Sequence, residues 1–255
     1  MQTFVTADKR RMYEDLAWAW PIISPPDDYI EETEEYVKLI KEHSQIPVKN
    51  ILNMGCGGGH NDNTLAKYFD VTGVDISHDM LHLARTLNPD VKYEHGDMRS
   101  VRLGQGFDAV TVFDSISYMR TPESLKAAFT TAYAHLRPGG VFLTCVEETI
   151  ETFRQNKTRH TTRSLGDVEI TLIENYYDPI PDDYCYEGNF IYLIRRSGEL
   201  SIEIDCHLLG LFELTTWMDL MKEVGLEVFK RDSMIPIPDG VTTPILIGLK
   251  PVTHI

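Results

Sequence analysis

The sequence predicts an α/β protein in which a parallel sheet is covered by helices on both faces and carries an antiparallel β insertion. Three observations predict it. From Asn50 to Glu148, short apolar runs alternate with helical patterns. A glycine cluster, Gly55, Gly57, Gly58 and Gly59, joins the first apolar run to the first helix of that alternation. The segment 149–213 then breaks the pattern with consecutive β-rich runs. Alternation of strand and helix makes parallel neighbours, whereas consecutive strands joined by turns make antiparallel ones. With 255 residues, 42% hydrophobic and 25% charged, the chain has enough apolar surface for one core with an addition.

The elements follow in order. Pro21, Pro25 and Pro26 interrupt an aromatic opening that holds Tyr13, Trp18 and Trp20. Asp27 or Asp28 can cap a helix running to about Ser44, with Tyr29, Ile30, Tyr36, Val37 and Ile40 on one buried face. Its acidic start suits the positive end of the helix dipole, and residues 1–48 are expected to form a helical lid. NILNM reads as the first strand and NDNTLAKYF as the helix after the glycines. VTGVD, VKYEH, AVTVF and VFLTCVEE read as the next four strands, with helices through DMLHLARTL and ESLKAAFTTAYAHL. Residues 49–148 are therefore the expected core. Residues 214–255 complete it with a helix, TTWMDLMKEVG, and an antiparallel edge pair, LEVFKR and TTPILIGLK.

Within 149–213, VEITLIENYYD, NFIYLIRR and ELSIEIDC read as strands, with Ser197-Gly198 as the hairpin turn joining the last two. The insertion is rich in aromatics, among them Phe153, Tyr176, Tyr186, Phe190 and Tyr192, which suit a core and equally the wall of a pocket. Its expected role is a substrate cover.

Composition removes several function classes. Lys+Arg 24 against Asp+Glu 39 gives a formal charge of -15, so the average surface field repels a phosphate backbone and nucleic acid is not an expected partner. No apolar run is long enough to span a bilayer, and no leader pattern opens the chain, so a cytoplasmic location without a membrane partner is expected. Cys56, Cys145, Cys185 and Cys206 are dispersed, without a CxxC pair, and are expected to be free thiols. His78 and His82 form the only HxxxH, with no clustered Cys/His set and no HExxH, so no metal is expected.

The glycine cluster carries the first functional signal. Glycine there allows a tight turn and lets a ligand approach the backbone and the helix start closely. A dinucleotide spacing starting at Gly55 would require glycine where His60 stands, and no GK[ST] follows, so neither the NAD fingerprint nor a P-loop is complete. Asp75 ends the second strand, where an acidic side chain can accept bonds from both ribose hydroxyls. Asp97, in Gly96-Asp97-Met98 after the third strand, lies at the rim where open sheets bind ligands.

ILNMGCGGG, VTGVDIS, the GDM step, FDAVTVFDSISYM and LRPGG, in that order, resemble the successive motifs of the class I S-adenosylmethionine-dependent methyltransferases. The resemblance covers about Asn50 to Glu147. It implies a Rossmann-like seven-stranded sheet and S-adenosyl-L-methionine as cofactor. It also implies that Gly55, Gly57 and Gly59 surround the methionine part, that Asp75 holds the ribose diol, and that Ile76 and Met80 pack on the adenine. Asp97 would meet the adenine amino group with Met98 beside the ring, and Phe113 and Asp114 would lie on the sulfur side. Where the family commonly has an acidic residue two positions before the first glycine, this chain has Asn53, so any anchoring of the cofactor's ammonium there is by a neutral hydrogen bond. A narrower resemblance, to the sugar N,N-dimethyltransferases of antibiotic biosynthesis, rests on MYEDLA, on SISYM and on an insertion ending in HLLGLFELTTW.

Methyl transfer from a sulfonium is an in-line displacement in which alignment and exclusion of water matter most, and a base is optional. Tyr118 in SISYM is the preferred substrate-facing polar residue; Tyr13 is a candidate to close over the cofactor, and His207 a candidate base where the insertion returns to the core. Glu147 and Glu148 are further polar options. The expected reaction is methylation of an N or O nucleophile on a small molecule. Alternatives are a protein acceptor, or a non-catalytic S-adenosylmethionine-binding protein; whether the insertion's exposed face pairs two copies into a homodimer is left open by the sequence.

Overall fold

The computed structural model describes residues 8–181, 183–235 and 242–252. Residues 1–7 of the expected lid lie outside the described residues, as do the last residues of the expected completion. After short 3₁₀ turns at Arg11–Tyr13 and Ala17–Ala19 come helix α1 (Trp20–Ile23) and α2 (Ile30–His43). The alternation follows as β1 (Asn50–Met54), α3 (His60–Leu65), β2 (Asp70–Asp75), α4 (His78–Leu87), β3 (Lys92–His95), β4 (Phe107–Val112), α5 (Pro122–His135) and β5 (Leu136–Cys145). The insertion supplies β6 (Lys157–Leu165), β7 (Val168–Tyr177), β8 (Cys185–Arg196) and β9 (Glu199–Gly210). The chain returns through α6 (Leu214–Glu223), β10 (Glu227–Asp232) and β11 (Pro244–Leu249).

The main sheet has seven strands in the order β10-β11-β5-β4-β1-β2-β3. β1 to β5 pair in parallel, while β11 runs antiparallel to both β5 and β10. The expected parallel core with an antiparallel edge pair is therefore what forms. Alternate residues serve opposite faces, as the pleat requires. Leu52, Val110, Phe142 and Leu246 face Leu125, Phe129, Trp217 and Met221 of α5 and α6. Ile51, Ala109, Val141 and Ile247 face Tyr36, Val37 and Ile40 of α2. α2 is thus a wall of the core and not a lid: its apolar face packs on the sheet, which takes Tyr36, Val37 and Ile40 out of water.

Local chemistry fixes the helix starts near the cleft. Ser77 caps α4 by accepting from the backbone N–H of Met80. Thr121 and Ser124 form a reciprocal capping box on α5, with Pro122 in the first turn.

The insertion is a four-stranded antiparallel sheet, β6-β7-β8-β9. Ser197 (φ 49°) and Gly198 (φ 90°) make the expected two-residue turn between β8 and β9, both left-handed as a type I′ hairpin demands. The segment after Asp8 lies against this sheet. Lys9 N–H bonds to the Cys206 carbonyl, and Met12, Leu16, Ala19 and Ile23 pack with Ile170, Tyr192, Ile194 and Met80. Residues 9–23 therefore bridge the insertion and α4, and they form the roof that α2 does not. No described helix is long and apolar enough to cross a membrane.

Candidate active site

A cleft of about 810 Å³ opens at the carboxyl ends of β1 to β4, the place where open α/β sheets bind ligands. Its floor is the glycine turn. Gly55, Gly57 and Gly59 all have positive φ (71°, 53° and 77°). A Cβ on Gly55 would stand 2.1 Å from Ser115 Oγ and 2.7 Å from Met98 Cε, whereas one on Gly57 would meet nothing within 4 Å. Gly55 is packed against Ser115 and Met98, while Gly57 faces the open cleft, where a ligand can approach the backbone closely. Ser115 Oγ is buried in the cleft wall with no hydrogen-bond partner.

Asp75 stands at the end of β2 with both oxygens fixed: Oδ2 accepts from Gly57 N–H at 2.8 Å and Oδ1 from Ser77 N–H at 2.8 Å. Burial raises its carboxyl pKa while those backbone donors pull it back. Each oxygen keeps a lone pair for a diol. Ile76, Asp97, Met98 and Phe113 also line the cleft. The Asp97 carboxylate is clamped by the Arg99 guanidinium, a partner not anticipated from the sequence. Trp20, Tyr29 and His60 close one end, with the Trp20 and His60 rings stacked at 5.9 Å. Burial pushes the His60 imidazole down to about 4.

Three expected cofactor residues are not in the wall. Asn53 is buried within β1, donating to Asp62 Oδ1 at 2.8 Å and accepting from Thr111 Oγ1, so it braces the loop from beneath and cannot reach a ligand's ammonium. Met80 is fully buried against the roof segment, because the first turn of α4 points that side chain inward. Gly59 is not in the lining; its missing Cβ makes room for Tyr93 Oη and Asn88 Nδ2 instead.

The three expected catalytic residues do come together. Tyr13 Oη and Tyr118 Oη are 2.8 Å apart, and Tyr118 Oη is 2.7 Å from His207 Nδ1. Both tyrosines line the cleft; His207 lies behind them, buried, and is hydrogen-bonded to the cleft wall through Tyr118. His207 Nε2 is 2.8 Å from Asp205 Oδ2, a carboxylate the sequence did not single out as a site residue. Arg10 lies over the Tyr118 ring, 4.6 Å from its centroid. Beside Phe113, Asp114 faces the cleft. Burial raises the carboxyls of Glu32, Asp114 and Glu147, and the Asp114 charge raises the two glutamates further, Glu32 to about 7. Such a group favours an incoming cation. No group of His, Cys, Asp or Glu among the described residues is placed to hold a metal ion.

Comparison with known proteins agrees with this geometry. The family model for a methyltransferase domain matches residues 51–140. The structure of Streptomyces venezuelae DesVI superposes with a TM-score of 0.80, covering 96% of this chain and 99% of that one at 25% identity. This chain is related in sequence and fold to the class I S-adenosylmethionine-dependent methyltransferases. Among curated sequences, the dTDP-3-amino-3,4,6-trideoxy-alpha-D-glucopyranose N,N-dimethyltransferase of Streptomyces venezuelae is 37% identical over 116 residues, 45% of this chain and 48% of that one. This chain thus spans about half the length of the curated relatives that head the comparison. The S-adenosylmethionine-bound amino pentose methyltransferase CalS10 of Micromonospora echinaspora shares the fold, with a TM-score of 0.75 at 23% identity over 86% of this chain and 91% of that one. The family's cofactor, S-adenosyl-L-methionine, fits the residues present: the turn at Gly55 and Gly57 would take its methionine end, Asp75 its ribose, and Ile76 and Met98 its adenine.

Proposed function

We propose that this protein transfers a methyl group from S-adenosyl-L-methionine to the nitrogen of a small amino sugar. When bound, the cofactor supplies a sulfonium methyl, which leaves its electron pair on sulfur as the nucleophile's lone pair forms the new bond. The chain's own contribution is placement: the cradle and Asp75 orient the donor, and the roof of residues 9–23 with the insertion keeps water out. The observation that carries this reading is the pair of hydroxyls, Tyr13 and Tyr118, in the wall of the same cleft as the glycine turn. The Asp114 carboxyl in the cleft wall, with Glu32 and Glu147 coupled to it from behind, favours an amine over a neutral hydroxyl, since an amine arrives or leaves as a cation. The dTDP-amino-sugar dimethyltransferases among the relatives point the same way. In this reading residues 149–213 cover the acceptor.

The test is calorimetric binding of S-adenosyl-L-methionine and its demethylated product, followed by transfer of labelled methyl to free and nucleotide-linked amino sugars and to their hydroxyl analogues. Binding of both and label on the amines are expected. Failure to bind either ends the proposal, and label appearing only on protein moves the acceptor to a polypeptide. A homodimer belongs to the same proposal: Ile191, Leu200, Ile202 and Ile204 are exposed on neighbouring strands along one face of the insertion.

A further inference from the structure

The hydrogen bonds behind Tyr118 can be ordered by counting protons. Asp205 is fully buried, and its two oxygens already accept from backbone donors that cannot reverse, Met12 N–H at Oδ2 (2.9 Å) and Cys206 N–H at Oδ1 (2.8 Å). Against the effect of burial, its bonds to His207 and to backbone amides that include Met12 hold the carboxyl below its usual range, so it is an acceptor only. The proton between Asp205 and His207 therefore sits on Nε2. A neutral imidazole carries one N–H, so Nδ1 is a lone pair and must accept from Tyr118. Tyr118 has spent its only hydrogen, so its oxygen accepts from Tyr13. Tyr13 has then spent its hydrogen as well, and what its oxygen offers the cleft is lone pairs.

We propose that Asp205 is a positioning residue that fixes this order, making Tyr13 a proton acceptor toward the substrate and His207 the store for the proton methylation releases. The proposal rests on the amine-methylation reading above. An amine nitrogen that has gained a methyl is cationic and still bears hydrogen. Its proton passes to Tyr13 Oη as the Tyr13 proton passes to Tyr118 and the Tyr118 proton to His207 Nδ1. The products are a neutral methylated amine, two neutral phenols and an imidazolium paired with the Asp205 carboxylate, so charge and atoms balance. The Arg10 guanidinium over the Tyr118 ring steadies any negative charge on that oxygen during the passage. A second methylation of the same nitrogen needs its lone pair back, so the relay matters most for the second round.

Nitrogen-15 spectra of histidine-labelled protein, with His207 assigned by its loss in His207→Gln, read the order without turnover. The expected result is a neutral ring protonated at Nε2. Transfer assays then compare Asp205→Asn and Tyr118→Phe with the parent. For both, kcat for the second methylation is expected to fall about 10- to 100-fold, with S-adenosyl-L-methionine affinity within about twofold of the parent. A ring protonated at Nδ1 overturns the proposal. So does full kcat in both variants, or a loss confined to cofactor affinity. Because the spectra need no acceptor, the proton order is decided even if no amine is methylated, an outcome that counts against the methyl-transfer reading alone.

Discussion

Asp75 illustrates what one side chain can be asked to do. Its two oxygens are already oriented by Gly57 and Ser77, so replacing it by alanine removes a prepared pair of acceptors without opening the core. Asp75→Ala is expected to weaken S-adenosyl-L-methionine binding roughly 10- to 100-fold, the worth of a charged hydrogen bond, with an unchanged circular dichroism spectrum. Two buried neighbours of the glycine turn oppose each other in pH. Burial raises the Asp62 carboxyl to about 6 and leaves its Oδ2 without a partner, so the folded state binds the extra proton and Asp62 costs stability as pH rises through that value. His60, pushed down to about 4, costs stability as pH falls from its unfolded value toward 4. Asp62→Asn should therefore raise apo-protein stability at pH 7.5 by roughly 2 kcal/mol and by little at pH 4, measured by urea unfolding. Asp75 was legible in the sequence because its place, a strand end at a fixed offset from the glycines, is one-dimensional. Asn53 and Met80 misled because their inward rotation is decided by the turn and the helix start. Asp205 was not legible at all as a site residue, since only the folded sheet brings it within one histidine of Tyr118.

Among the elements, the central strands β1, β4 and β5 were readable because each holds a short apolar run, and buried parallel strands need that pattern. β6 was not readable. Lys157–Leu165 is polar up to its final leucine and lies mostly exposed, and it is a strand because β7 offers it a continuous row of partners over nine register pairs. α2 was read correctly as a helix with the right buried face but given the wrong neighbour, since amphipathicity names a face and not what covers it. The β8–β9 turn gives an element-scale test. Gly198 stands at φ 90° with open space around it, so Gly198→Ala suffers only from its backbone. It is expected to lower stability by about 1 kcal/mol and to leave cofactor binding unchanged. Gly55→Ala adds a collision with Ser115 and Met98 to the same strain, and is expected to lose cofactor binding as well.

At the scale of the molecule, cofactor binding couples to folding. The cleft is walled by β1 to β4, by the roof segment and by the start of α5, so a ligand there holds three parts together. At a hundredfold excess over Kd, S-adenosyl-L-methionine should add about 2.7 kcal/mol and raise Tm by roughly 5–10 °C, while NADH should not, as differential scanning fluorimetry will report. The exposed isoleucines on the insertion make sedimentation the matching test of assembly. A species of twice the chain mass, reduced to the single chain by Ile202→Lys, is expected if that face pairs.

The strand order sets a timetable for synthesis. β1 to β5 and the glycine turn are all made by Cys145, yet the outer partner of β5 is β11, at Pro244–Leu249, and the roof's anchor on Asp205 comes nearly two hundred residues after Met12. A nascent chain therefore carries an unroofed cleft until β9 has been made and an open β5 edge until β11 has. The cofactor cradle is thus made before its roof, and between residues 145 and 244 the β5 edge is open to pairing with another chain.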